Sequence, residues 1–99
     1  MNNIEKVFES LKKNNRKALI TYSVAGDPDL DSSEKIIRNF ISSGVDIIEV
    51  GVPFSDPMAE GPSIQLGHER ALKNNISLPN ILDMCSKIKK DFPETPIVL

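Results

Sequence analysis

The chain lacks tryptophan altogether and has one cysteine, one histidine and one tyrosine in 99 residues. Each shortage removes a class of site. The lone Cys85 can form no internal disulfide, and a single cysteine and a single histidine in different segments give no zinc-ligand spacing, so no metal centre is expected. An excess of charge of one sign is also missing. Against 14 Asp and Glu stand 12 Lys and Arg, a net charge of -2 that offers no basic surface to nucleic acid or anionic lipid. No apolar run approaches membrane-spanning length, and the opening MNNIEKVFESLKKNN has neither an apolar signal core nor a small-residue cleavage site. The expectation is a cytoplasmic protein with no nucleic-acid or membrane partner.

What the sequence does have is an alternation of strand and helix patterns. Ile4, Val7, Phe8 and Leu11 fall on one helical face ahead of the polar run Lys12 to Lys17, and this helix is expected to flank the rest of the fold. Ala18 to Val24 is rich in β-branched and aromatic residues and is closed by Ala25-Gly26-Asp27-Pro28, a strand followed by a turn. A capping-box variant at Asp31 and Glu34, an apolar face of Ile36, Ile37, Phe40 and Ile41, and Gly44 at the C-cap mark a helix at both ends. Val45 to Val52 is a second strand, and strand-helix-strand implies a right-handed parallel crossover. Pro53 to Pro62, with its prolines, reads as a stiff βα loop. A helix follows over Ser63 to Asn74. Another is capped by Ser77, carries Ile81, Leu82, Cys85 and Ile88 inward, and stops before Pro93; Pro96 to Leu99 opens a third strand.

Glu49 is the chemical anomaly, because parallel strands covered on both faces normally read as unbroken apolar runs. Strand alternation puts Ile47, Glu49 and Gly51 on one face and Ile48 and Val50 on the other. If Ile48 and Val50 meet the helices, Glu49 faces away from them, near the C-terminal end of its strand, where barrel enzymes place catalytic groups. A partly desolvated carboxylate there suits general acid and base work. The spacing alone equally allows a structural carboxylate paired with a buried Lys or Arg. The following loop adds Asp56 and Glu60 on the same rim. Cys85 reads as a core residue, His68 as a surface or boundary residue, and the lysines near the end of the last helix as partners of its dipole.

The run from Asp46 to Gln65, DIIEVGVPFSDPMAEGPSIQ, closely resembles the signature of the tryptophan synthase alpha subunit family, in which a strand glutamate precedes G-[IV]-P-F-S-D-P-x-A-D-G-P-x-I-Q. The Gly26-Asp27-Pro28 turn and Arg70-Ala71-Leu72 extend the resemblance over the whole chain. It implies an α/β fold of the parallel (β/α)8 TIM-barrel family, with residues 1–99 as the incomplete N-terminal part of a single barrel domain: the flanking helix and about the first three β/α units. It implies a carbon-carbon lyase of tryptophan biosynthesis that cleaves indole-3-glycerol phosphate to indole and glyceraldehyde 3-phosphate. The alpha chain would use no cofactor, pyridoxal phosphate being expected in a partner beta subunit of an alpha2-beta2 assembly. On the family pattern Glu49 is the acid/base group, Glu60 holds the indole N–H, Tyr22 lines the indole pocket, and Pro53 and Asp56 meet the beta subunit. Two positions depart from it: Glu60 stands for the commoner aspartate and Tyr22 for the usual phenylalanine. The family's phosphate-binding loops lie in later strands, so the alternative for the 99-residue chain itself is a non-catalytic βαβ fragment that at most binds the beta subunit.

Overall fold

The computed structural model describes residues 2–53 and 61–99. Among the described residues, four helices and three strands run in the order α1 (Asn3–Lys13), β1 (Ile20–Val24), α2 (Leu30–Ser42), β2 (Ile47–Gly51), α3 (Pro62–Lys73), α4 (Leu78–Asp91) and β3 (Ile97–Val98). The strands form one parallel sheet in the order β1-β2-β3, as the strand and helix alternation implies. Asp46, just ahead of β2, accepts the backbone N–H of Leu19 at 2.8 Å and so ties the entrances of the two long strands together.

The core lies between the sheet and the helices. Ile48 and Val50 of β2 point into it and meet Ile37 of α2 and Ile81, Met84 and Ile88 of α4. Arg38 fastens α2 to α4 on the solvent side, with Nε 3.0 Å from Glu34 and Nη1 2.6 Å from Asp91. Both acids raise the arginine above its ordinary value through their hydrogen bonds, Asp91 most. Helix α1 is an attachment at the edge: Leu11 is buried, Ile4 and Phe8 are exposed, and Asn3 Nδ2 donates to the carbonyl of Pro93.

Several local expectations change. The cap of α2 is Asp29, not Asp31. Asp29 has extended backbone angles, and its carboxylate accepts from Ser32 N at 2.8 Å and Ser32 Oγ at 3.0 Å, while Asp31 already lies in the first turn. In α4 Ile81 and Ile88 point inward as expected, joined by Met84, and Cys85 is half-buried against the core, but Leu82 is exposed. Ser77 does cap α4, in a reciprocal box with Asn80. Gly44 adopts φ +103° after α2, the left-handed cap its position suggests. His68 is fully buried rather than at the surface, because α3 seats this side of itself against the end of β1.

Candidate active site

The alternation along β2 divides its side chains as the sequence requires. Ile48 and Val50 are in the helix-side core, and Glu49 stands on the opposite face of the sheet, exposed. β1 lies beside it in register, pairing Tyr22 with Glu49 and Val24 with Gly51. Side chains at paired positions of neighbouring strands project to the same side. Tyr22 and Glu49 are therefore neighbours on the open face, each delivered by a different strand. They line a cavity of about 330 Å³ together with Gly51, Val52, Val98 and Leu99. An aromatic ring and apolar residues around one carboxylate make a place for a flat apolar ligand next to a proton-transfer group.

Gly51 shapes this cavity. A Cβ built on it would lie 2.6 Å from Cζ of Tyr22, 3.2 Å from Cε2, and closer still to the hydroxyl oxygen. The ring thus lies over Gly51, along β2 toward its C-terminal end. No Lys or Arg among the described residues is paired with Glu49, so the structural ion-pair alternative has no support in them. Glu49 itself is exposed rather than partly desolvated, although Ile47 and Gly51 on the same face are buried. Pro53 lies half-buried two residues past the end of β2. Asp56 and Glu60 fall outside the described residues.

A second constellation was not legible as one from the sequence. The turn after β1 is gripped by α3 and the segment that follows it. Asp27 takes Arg70 Nε at 2.6 Å and Nη2 at 3.0 Å, a two-pronged ion pair that raises the arginine, chiefly through the hydrogen bonds. Gly67, one turn earlier on α3, leaves room for the Asp27 carboxylate, whose Oδ2 would be 2.9 Å from a Cβ there. Asn74 donates to the carbonyl of Pro28, and Ile76 packs on Gly26. Only the spacing of Gly67 and Arg70 on one helical face hinted at this, and nothing local linked them to Asp27.

A larger cavity, about 500 Å³, is elsewhere, bounded by Ile4, Leu82, Cys85, Ile97 and Leu99. It has no acid in its lining, so size alone does not make it the site. Burial raises the Cys85 thiol, which keeps it protonated and unreactive. Among the described residues no group of three His, Cys, Asp or Glu could hold a metal ion, and no helix is long and apolar enough to cross a membrane.

Comparison with known proteins decides the family. The family model for the tryptophan synthase alpha chain matches residues 8–99. The chain belongs to the tryptophan synthase alpha chain family. Over all 99 residues it is 50% identical to the tryptophan synthase alpha chain of Nitrosomonas europaea and 52% identical to that of Geobacter sulfurreducens, covering 36% and 37% of their lengths. Among solved structures, tryptophan synthase subunit alpha from Legionella pneumophila superposes with a TM-score of 0.93 at 44% identity, over 98% of this chain and 37% of that one. A chain of M. tuberculosis tryptophan synthase superposes with a TM-score of 0.80 at 41% identity, over 84% of this chain and 33% of that one. The chain thus spans little more than a third of the length of the relatives it matches. Its α/β architecture is that of the (β/α)8 TIM-barrel alpha chains, of which it holds the flanking helix and the first three parallel strands.

Proposed function

We propose that this chain supplies the Glu49 strand and the indole-pocket wall of a tryptophan synthase alpha subunit, within the N-terminal part of a single barrel domain. The reaction is the cleavage of indole-3-glycerol phosphate to indole and glyceraldehyde 3-phosphate. The observation that carries this is the juxtaposition of Glu49 and Tyr22 on the sheet face opposite the helices, lining a cavity that runs on past Gly51 and Val52 at the C-terminal end of β2. Active sites of barrel enzymes sit at this end.

The chemistry asks for one proton in and one proton out. A proton added to indole C3 turns the ring into an electron sink. Loss of the proton from the adjacent glycerol hydroxyl then drives that carbon to a carbonyl, and the electrons of the breaking carbon-carbon bond restore the aromatic ring. Glu49 is the group that handles protons at these two atoms, and Tyr22 is the wall against which the ring lies. Glu60 is the partner for the indole N–H, where it offsets the positive charge that C3 protonation creates on the ring. None of these steps calls for a cofactor in this chain. The beta subunit, which would carry pyridoxal phosphate and receive the indole in an alpha2-beta2 assembly, is met by the loop beginning at Pro53 and containing Asp56. One of the similar solved structures is an aminoacrylate-bound form of M. tuberculosis tryptophan synthase, which supports a role within such a complex. The setting would be the cytoplasm. A polypeptide of residues 1–99 alone, with Glu49 open to water, would not turn over.

The test is Glu49→Gln in an alpha chain of full family length carrying residues 1–99 of this sequence. Indole release should fall by at least about a hundredfold, with beta-subunit binding and the thermal midpoint unchanged. Turnover within a few-fold of the parent would remove Glu49 from the mechanism.

A further inference from the structure

Gly51 has no backbone reason to be glycine. Gly26, Gly44 and Gly61 have positive φ, but Gly51 does not, and it is the last residue of β2, paired with Val24, where a side chain would normally be favoured. Its neighbours supply the reason. The Tyr22 ring occupies the space a side chain would take, with Cζ 2.6 Å from the ideal Cβ position. The atoms met are the hydroxyl and the outer edge of the ring, which can give way only by moving the whole rigid ring. A side chain at 51 would force Tyr22 into another staggered rotamer. The ring would then swing back over Glu49, its register partner, or up into the cavity they share. Either movement takes volume from the cavity beside the carboxylate.

We propose that Gly51 is a specificity-determining position: by seating the Tyr22 ring along β2, it holds the aromatic wall back and keeps the space next to Glu49 wide enough for a bicyclic aromatic substrate. This rests on the lyase reading above and adds to it a residue that touches no reacting atom. Gly51 acts through Tyr22, so its effect depends on the ring being there.

The experiment is a double-mutant cycle of Gly51→Ala and Tyr22→Ala in an alpha chain of full family length carrying residues 1–99. It reads kcat and KM for indole-3-glycerol phosphate cleavage and the thermal midpoint of all four chains. Gly51→Ala alone should raise KM by about tenfold or more, as expected of a displaced pocket wall. Added to Tyr22→Ala, it should change KM by less than about twofold, the mark of coupled positions. Equal damage in both backgrounds, or none when Tyr22 is present, overturns the proposal. If Gly51→Ala folds only when Tyr22 is also replaced, the interlock is supported; if it folds in neither background, the ring is not the reason for glycine. Should the parent chain show no cleavage at all, the lyase reading fails by itself, and the midpoints still report whether ring and glycine interlock.

Discussion

Ile88→Ala is the most direct test of which face of α4 is covered. Ile88 is fully buried and packs in the cluster that joins α4 to α2 and β2. Truncation to alanine removes three carbons, a loss of about 2.4 kcal/mol at about 0.8 kcal/mol for each. The neighbours on β2 and α2 are themselves held by the sheet and by the Arg38 bridge, so the space can collapse only in part. The cavity left behind adds roughly 1 kcal/mol, for a total near 3.5 kcal/mol. Leu82→Ala on the same helix removes the same number of carbons from a side chain that is 47% exposed. With about half the transfer term and no enclosed void, it should cost about 1 kcal/mol. Urea unfolding of the 99-residue chain followed by circular dichroism measures both, with an unchanged slope showing that the comparison is of stabilities. Should Ile88→Ala unfold the chain outright in buffer while Leu82→Ala remains folded, the ordering holds. Equal losses, or a larger one at Leu82, would refute the assignment of the inward stripe.

Two further substitutions probe the helix ends. Asp29 accepts from Ser32 N and Ser32 Oγ, which lower its carboxyl below the ordinary 3.8, mainly through the backbone bond. A group depressed on folding stabilises above its unfolded value and loses that effect as pH falls through the folded one. Asp29→Ala should therefore lower the urea midpoint at about pH 7, and the difference should shrink as pH falls toward about 2; a difference that does not shrink in acid would remove the ionised cap from the account. Gly44→Ala and Gly26→Ala separate backbone strain from crowding. Both sites have positive φ, but a Cβ on Gly44 meets open space while one on Gly26 meets Ile76 Cγ1 at 2.6 Å. Gly44→Ala should cost about 1 kcal/mol from backbone alone, Gly26→Ala clearly more, and equal losses in denaturant titrations would contradict the packing of Ile76.

Periodicity was enough to place every element, because strands of β-branched residues and helices with a single apolar stripe declare themselves in one dimension. It went wrong where two solutions share one pattern. Helix α4 carries two apolar stripes, Ile81-Met84-Ile88 and Leu82-Cys85, about 100° apart around the axis. Either could be the inner one until the position of the sheet is known. Asp29 and Asp31 are both good caps, and the choice rests on where the chain leaves the turn after Pro28. His68 has no sequence mark of burial; it is buried because Asp27, Arg70 and Asn74 hold α3 down on the end of β1, a contact between distant segments.

The candidate site shows the same division between what one strand encodes and what assembly adds. That Glu49 leaves the helix-side core follows from alternation within β2 and could be read from five residues. Its pairing with Tyr22 is a property of register between two strands, and no pattern within either strand sets it. Its desolvation belongs to a third level. The inner face of a barrel strand is dried by side chains from the other strands of the closed barrel, layer upon layer. In the 99-residue chain Glu49 is exposed, and the relatives it matches are close to three times as long. An exposed carboxylate is not shielded from water as proton transfer to carbon requires. The position of Glu49 is thus built into the first strands, while the shielding of its carboxylate depends on what closes over them. Glu49→Gln should accordingly matter greatly for cleavage in a closed barrel and hardly at all for the stability of residues 1–99, since the side chain it replaces touches water in the latter.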